Sequence, residues 1–538
     1  MTSTPIRHTV LYGARVVRSF TDRPASVDAV LREGAARAGE RTALVLGETR
    51  ISYRDLDAQV EQVARNLVTR GLRPGDRLGL LLDNGIEFIL AFMAAARAGI
   101  IAVPMNTRQR RPEIEFALNQ CGAAGLIHDA AHAANLPAAS ATPALAHVFV
   151  VGGGQATPFD ALLADAAPVT FAPIAEEDPL CLLYTSGTTG QPKGAVLTHV
   201  GTVHSMLHYR DTWRLKEGEI AALAVPASHV TGLVAIILTT FLVAGTVLVM
   251  PAFKARRFLE LATRERMSYT LMVPAMYNLC LLDPDFTHFD LSAWRIAGFG
   301  GAPMPGATIA RLAETLPGLS LCNAYGATET TSPCALLAPG EINDHPRAVG
   351  RVLPCADVII MDDDGREVAP GESGELLIGG PMVVPRYWDN PEADATGFIG
   401  GYWRSGDIGS RDEHGFLHVF DRKKDMINRA GFKVYSIEVE NTLCHHPSVT
   451  EAAVIGAPHP VLGEQVHAFV HCAGGRAAPD DLRAFCAERL SDYKVPETIT
   501  FLPDPLPRNA NGKILKTDLR AQLLAQLDSA STAPQSRQ

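Results

Sequence analysis

Cysteine is sparse and scattered in this chain. Nine occur among 538 residues, at positions 121, 181, 280, 322, 334, 355, 444, 472 and 486, and no two are spaced C-x-x-C. That pattern argues against a zinc ribbon or a disulfide framework and fits a reducing cytoplasm. Positive charge is also short: 48 Lys and Arg face 58 Asp and Glu, a net charge of −10. Broad affinity for nucleic acid or an anionic membrane is therefore not expected. Uninterrupted hydrophobic runs of membrane-spanning length are lacking too. The uncharged stretch 230–250 is divided by Gly245-Thr246, so it reads as a buried helix over 232–244 and a buried strand over 246–250 rather than a transmembrane span. The N-terminus has no continuous apolar core of a secretory signal. Arg7, Arg15 and Arg18 precede the first acid, Asp22; an ordinary extension suits them better than an organelle transit peptide. No internal repeat is evident.

What is present is the composition of a globular protein, 47% hydrophobic and 20% charged, in a chain long enough for two or more domains. Leu56, Val60, Val63, Ala64, Leu67 and Val68 share one helical face, ended by Gly71. A strand over 78–82, the turn Asn84-Gly85, a helix over 86–98, Gly99 and a strand over 100–103 follow. This alternation predicts parallel sheet covered by helices. Residues 131–146 and 152–168, rich in Ala, Gly and Pro, read as surface connections. Strands over 358–361 and 375–378 suggest a β-rich section. After Asp421 the pattern restarts, with helices near 437–444 and 480–490 and strands near 452–455 and 468–471. The expected class is α/β: a large N-terminal domain (1–420) of several subdomains, and a small α+β domain (421–538) ending in a disordered tail from 529.

The strongest chemical signal is Tyr184-Thr185-Ser186-Gly187-Thr188-Thr189-Gly190-Gln191-Pro192-Lys193-Gly194, which follows the apolar run 180–183. Glycines admit close approach of backbone N–H groups to an anion, hydroxyls add donors, and lysine adds a positive charge. A plain surface loop would not explain one lysine and no acid directly after a buried strand. The segment is not a Walker A element, because Pro192 stands where that pattern needs glycine.

This segment resembles the phosphate-binding signature of the adenylate-forming superfamily, which comprises acyl-coenzyme A synthetases, peptide-synthetase adenylation domains and firefly-type luciferases. Further motifs follow in the family's order across nearly the whole chain: Gly300-Gly301-Ala302-Pro303, Asn323-Ala324-Tyr325-Gly326-Ala327-Thr328-Glu329, Tyr402-Trp403-Arg404-Ser405-Gly406-Asp407, Asp421-Arg422-Lys423-Lys424-Asp425 with Gly431-Phe432, and Pro507 to Lys513. Alone, each is weak; Glu329 and Asp407 could be loop acids, Tyr325 core, Lys513 a surface lysine. Six in order make coincidence a poor account.

The resemblance implies an AMP-forming acyl-CoA synthetase, a ligase that joins a carboxylic acid to coenzyme A using ATP and Mg²⁺. A carboxylate is ionised at pH 7 and needs no general base, so the task is to neutralise and position two anions. By resemblance, ATP is bound by Thr185, Ser186, Gly187, Thr188, Thr189, Gly190, Lys193, Gly301, Ala302, Asn323, Tyr325, Gly326, Thr328, Asp407, Arg422 and Lys513. Glu329 holds the metal, and Lys513, Glu329 and Thr185 are the catalytic group. His229, Val234, Tyr277, Phe299 and Gly300 border the acid, although His229 reads almost as well as a satisfied core histidine. Asp421, Lys424, Gly431 and Phe432 serve the hinge and the thiol side. Lys254, Arg256 and Arg257 could meet phosphates of coenzyme A, but a solvated helix start is the better reading.

No acid lies between Ile220 and Leu259, where amino-acid-activating relatives keep an aspartate. Asn278 and Leu279 follow Tyr277, where malonate-activating relatives carry an arginine two positions on. The expected substrate is an apolar acid: aliphatic, branched, alicyclic or aromatic, within fatty acid or aromatic acid metabolism. Two alternatives remain at this point, delivery of the acyl group to a carrier protein and a non-catalytic nucleotide-binding protein. A cytoplasmic location is expected, with no nucleic-acid partner; a homodimer is compatible with the sequence.

Overall fold

The computed structural model describes residues 4–186, 191–302, 304–472, 477–508 and 514–532. The chain forms two compact units. The larger comprises residues 1–359, 377–404 and 414–417; the smaller comprises 360–376, 405–413 and 418–538.

The larger unit is built around short strands buried along their whole length, such as Ile101–Pro104, Tyr269–Met272 and Ile296–Gly300, as central strands covered on both faces must be. One sheet runs in the order Pro192–Thr198, Pro179–Ser186, Ile101–Pro104, Arg77–Leu81, Gly125–Asp129, His147–Val151, Thr157–Pro158. It is parallel except for its first pair, the antiparallel hairpin Pro179–Ser186/Pro192–Thr198. A second parallel run is ordered Ser320–Ala327, Ile296–Gly300, Tyr269–Met272, Ile220–Leu223, Thr246–Val249, Thr42–Leu46. The helix Tyr53–Thr69 buries Leu56, Val60, Val63, Ala64 and Leu67, and its cap Ser52 accepts from Asp55 N at 3.1 Å. The helix Ile86–Ala98 ends on Gly99 at φ +68, where a left-handed residue closes the last turn. Both helices match their sequence-predicted bounds to within a few residues. Among the described residues, no helix is long and apolar enough to cross a membrane.

The stretch 232–244, expected as one helix, instead begins as a π-helix, Thr231–Leu238, and continues as a short α-helix, Thr239–Leu242. The wide turn has local causes. A Cβ on Gly232 would lie 2.3 Å from Pro226 O, and the Thr239 hydroxyl donates to Val234 O, five residues back, at 2.8 Å. Hydrophobic periodicity in a uniformly apolar run carries no signal for this widening. The strand Thr246–Val249 follows as expected.

Residues 6–20, read only as an extension, form a two-stranded hairpin, Ile6–Leu11 with Arg15–Phe20. Such a ribbon is marginal alone. Its end is held by a buried histidine of the helix His199–Thr212: His204 Nε2 accepts from Phe20 N at 3.2 Å; a second, His199, accepts at Nδ1 from Val27 N, which opens the next helix, Val27–Ala38, at 3.2 Å. A third, His208 Nε2, accepts from Cys355 N at 3.3 Å.

The smaller unit contains a sheet of Phe432–Val434, Ile427–Arg429, Gly463–His471 and Glu451–His459, with Thr498–Leu502 parallel to Gly463–His471. Ile427, Val434, Val439, Leu443, Val454 and Leu482 form part of its core. The final helix, Lys516–Thr532, extends past residue 529, where a disordered tail was expected to start. Helical hydrogen bonding there overrides the polar composition.

Burial lowers the pKa of His199 and His204 to about 4, from an ordinary 6.5, and pushes His208 down as well. Below pH 6.5 the unfolded chain then binds protons that the folded chain refuses, so stability rises with pH between about 4 and 6.5. Thermal unfolding should shift downward progressively from pH 7 to pH 5. His204→Gln, which keeps an acceptor for Phe20 N but does not titrate, should flatten that slope in a scan across pH; an unchanged slope would remove His204 from the account.

Candidate active site

In open α/β sheets, ligands bind beyond the carboxyl ends of parallel strands. At that edge of the larger unit's second sheet four connections follow neighbouring strands. Ile220–Leu223 leads to Pro226 and His229, and Tyr269–Met272 leads to Val273. Ile296–Gly300 leads to Gly301-Ala302, and Ser320–Ala327 leads to Thr328 and Glu329. Phe299 pairs with Asn323, and Gly300 with Ala324. The approach is so close that a Cβ on Gly300 would lie 2.5 Å from Ala324 O; Gly301 then turns at φ +76. The sequence-predicted residues Phe299, Gly300, Gly301, Ala302, Asn323, Tyr325, Gly326, Thr328 and Glu329 thus lie on two adjoining strand ends.

Glu329 is the centre of this group. It sits on the 3₁₀ turn Thr328–Thr330 and is buried. Its Oε1 accepts from the Thr185 hydroxyl at 3.2 Å and from the Tyr387 hydroxyl at 3.0 Å. Among the described residues, Oε2 receives no hydrogen bond. Thr331 and Ser332, directly after the turn, hold φ of +50 and +94, strained values for residues other than glycine. The surroundings enforce them: Thr331 Oγ1 donates to Met382 O at 2.7 Å, and Ser332 Oγ lies 2.8 Å from Tyr209 OH. A free carboxylate oxygen beside a threonine hydroxyl is a hard-oxygen donor set that fits Mg²⁺.

The phosphate-loop signature is a β-hairpin. Thr185 and Lys193 are cross-strand partners at its end. The Lys193 ammonium lies 5.4 Å above the Tyr387 ring and makes no ion pair among the described residues, so its charge is available to an anion. Gly187, Thr188, Thr189 and Gly190 lie outside the described residues, as do Lys513 and Pro303; the Ser186 backbone is in the strand.

Tyr387 escaped the sequence reading. It stands in a Pro-rich segment without periodicity, where one aromatic gives no local signal. It receives a hydrogen bond from Trp403 Nε1 at 3.3 Å, and burial, then the Glu329 carboxylate, raise its pKa far above the ordinary 10. It therefore remains a phenol and a donor.

His229 Nδ1 accepts from Thr231 N at 3.2 Å, and burial lowers its pKa to about 4. The ring is neutral, with its proton on Nε2. Val234 is fully buried in the π-helix. Tyr277 is fully buried too, its OH donating to Gly298 O at 2.5 Å with the ring stacked on Trp294; it supports the strand that carries Phe299 and Gly300. Arg256 is clamped by Asp283 at 2.9 Å and Asp285 at 2.6 Å, and Lys254 caps the helix Ala255–Arg264; the helix-start reading of that cluster describes them.

The remaining predicted residues belong to the smaller unit. Arg422 Nε pairs with Asp407 Oδ1 at 2.7 Å and Nη1 donates to Ser405 O at 2.9 Å. Asp421 is buried and accepts from Arg422 N and from Ser436 N, the first residue of the helix Ser436–Cys444. Lys424 is exposed. Ala430 and Gly431 turn the chain at φ +51 and +89 between Ile427–Arg429 and Phe432–Val434, a tight hairpin of the kind that needs positive φ at both turn residues. Phe432 is half exposed and stacks on Tyr493 at 4.7 Å.

The family model for the AMP-binding enzyme matches residues 31–388, and that for the AMP-binding enzyme C-terminal domain matches 438–513. The chain belongs to the AMP-binding enzyme family. It is 36% identical over 480 residues to a feruloyl-CoA synthase of an Amycolatopsis species, covering 89% of this chain and 95% of that one. It is 34% identical to the long-chain-fatty-acid–CoA ligase FadD13 of Mycobacterium tuberculosis, covering 89% and 94%. The crystal structure of the anthranilate CoA ligase AuaEII in complex with anthranoyl-AMP superimposes with a TM-score of 0.87 at 27% identity, covering 94% and 99%. Within the family the chain is an AMP-forming acyl-CoA synthetase, an acid–thiol ligase, as its motifs implied.

A Cβ on Gly326 would lie 1.6 Å from Ser332 O, so only glycine permits this crossing. Gly326→Ala should displace the turn that carries Glu329. Displacements of about 1 Å cost on the order of 100-fold in rate. Acid-dependent ATP–pyrophosphate exchange should fall by that order while circular dichroism stays unchanged; normal exchange would show that the turn relaxes freely.

Proposed function

We propose that the protein activates an apolar carboxylic acid at the carboxyl edge of its second parallel sheet and transfers the acyl group to coenzyme A. The observation that carries this reading is the convergence of Thr185, Glu329, Tyr387 and Lys193. It unites a carboxylate oxygen that, among the described residues, receives no hydrogen bond with a cation that makes no ion pair among them, the complementary pair that a metal–triphosphate complex requires.

In the first step a carboxylate oxygen of the substrate attacks the α-phosphorus of ATP. The bond between the α- and β-phosphoryl groups breaks, leaving acyl-AMP and pyrophosphate. Lys193 and Lys513 offset the negative charge, Tyr325 borders the adenine, and Asp407, oriented by Arg422, accepts from the ribose. Glu329 would hold Mg²⁺, which would supply charge neutralisation at the phosphates. In the second step the thiol sulfur attacks the acyl carbon and AMP leaves. His229, Val234, Phe299 and Gly300 border the acid. Neutral His229 and the apolar neighbours favour an uncharged acyl group, and one methylene changes discrimination only about 10–200-fold, so several acids should react.

We also infer a pivot at Asp421 between residues 1–420 and 421–538, with Lys424, Gly431 and Phe432 on the thiol side. Its support is the match of Asp421 to the family's pivot position; locally, the buried carboxylate accepts from Arg422 N and Ser436 N. A cytoplasmic location is proposed from the scattered cysteines, and coenzyme A is preferred over a carrier protein as acceptor.

Single-turnover assays of the half-reactions, run over a panel of aromatic, alicyclic and long-chain acids, test the reading. Lys513→Ala should impair adenylation by about 100-fold or more, in the range for loss of one charge-stabilising group, yet retain transfer from supplied acyl-adenylate. Pyrophosphate release without thioester formation would redirect the acyl group to a carrier protein. No release with any acid would leave a nucleotide-binding protein.

A further inference from the structure

The N-terminal hairpin lies before the residues that the family model matches, yet it is fastened to the segment that holds Glu329. Its turn contains Tyr12 and Gly13 at φ +54 and +75. Arg15 Nη1 donates to Val383 O at 3.2 Å and Val384 O at 3.1 Å, and Nη2 donates to Pro385 O at 3.0 Å. The guanidinium lies 5.3 Å above the Tyr12 ring and 5.6 Å above Phe398. Tyr12 OH donates to Pro381 O at 2.8 Å and lies 2.9 Å from Thr198 Oγ1, on the strand that follows the phosphate loop.

The strap 381–388 carries these contacts to the site. Val384, whose carbonyl receives Arg15, donates its N–H to Glu329 O at 2.9 Å. Tyr387 donates to the Glu329 carboxylate, and Met382 O receives the hydroxyl of strained Thr331. On its other side the strap is bound to the phosphate hairpin, through Val196 N to Arg386 O at 3.2 Å and Trp388 N to Gly194 O at 2.7 Å. Glu329 is thereby held by backbone and side chain from one irregular strand, and that strand has three consecutive carbonyls satisfied by one arginine. A planar guanidinium can serve several acceptors at once, which an ammonium cannot do in the same geometry.

We propose that the N-terminal hairpin is a positioning element for the metal-binding carboxylate: Arg15, with Tyr12, fixes the strap, and the strap fixes Glu329 through Val384 and Tyr387. The inference rests on the reading of Glu329 as the Mg²⁺ ligand. It makes Arg15 and Tyr387 positioning residues that act through Glu329.

The test measures Mn²⁺ binding to the full-length protein with α,β-methylene-ATP, followed by electron paramagnetic resonance, which reads metal affinity without turnover. Partners behind a metal ligand typically account for about 10–100-fold in affinity. Tyr387→Phe, which keeps the ring under Lys193 and deletes the hydroxyl, should weaken Mn²⁺ binding about tenfold, at the low end of that range. Arg15→Met should weaken it several-fold, and Arg15→Lys should not restore it. The double variant should lose less than the product of the two single effects, because both act through one strap. Val16→Thr, in the same hairpin but with its side chain exposed, should leave affinity unchanged. Glu329→Gln separates the two levels. If it does not alter Mn²⁺ binding, the metal-ligand reading itself fails. If it does, and Arg15→Met and Arg15→Lys lower only the melting temperature with Mn²⁺ affinity intact, the hairpin is merely structural and the proposal is overturned.

Discussion

A carboxylate and a triphosphate repel each other, and everything distinctive about this site answers that repulsion. No base is required to generate the nucleophile, because a carboxylate is already ionised at pH 7. Among the described residues the site contains a lysine that makes no ion pair, two hydroxyls aimed at one carboxylate oxygen, and a second oxygen that receives no hydrogen bond. Such groups act electrostatically, and they act strongly only where they are already oriented before charge develops.

That orientation accounts for the strain. Two residues other than glycine, Thr331 and Ser332, hold positive φ directly beyond Glu329. The cost is met by hydrogen bonds to two separate chain segments, the strap at Met382 and the helix residue Tyr209, while Val384 of the same strap donates to Glu329 O. The glycines at 300 and 326 belong to the same problem. Each stands where a backbone carbonyl occupies the space of a Cβ, so strand ends can approach closely enough to gather the adenine-side and metal-side residues on neighbouring positions. In the smaller unit the logic is repeated on a smaller scale: Arg422 fixes Asp407, and buried Asp421 fixes the start of a helix.

The local sequence was a sound guide wherever a short-range rule governs. Alternating apolar faces and helix stops located the helices Tyr53–Thr69 and Ile86–Ala98 and the strands between them. The order of six motifs indicated the family, and the absence of acid between Ile220 and Leu259 shaped the expectation of an apolar substrate. Those features reside in residue type and spacing, which are readable before folding. The N-terminal hairpin was not readable, because a two-stranded ribbon has little pattern of its own and is held by His204 and the strap. Nor was the π-helix Thr231–Leu238, where only glycine fits beside Pro226 O and the Thr239 hydroxyl bonds five residues back to Val234 O.

The sequence by itself determined the chemistry: which groups are present, that they suit phosphate and a hard metal, and that the chain folds as layered α/β units. The tertiary structure alone decided which of these groups meet. Glu329 and Tyr387 are 58 positions apart, and Arg15 reaches a segment 368 or more positions away. No periodicity or propensity connects such distances along the chain. They are joined because parallel strands bring their carboxyl ends to one edge, and because buried carbonyls on an irregular strap must find donors wherever the fold supplies them.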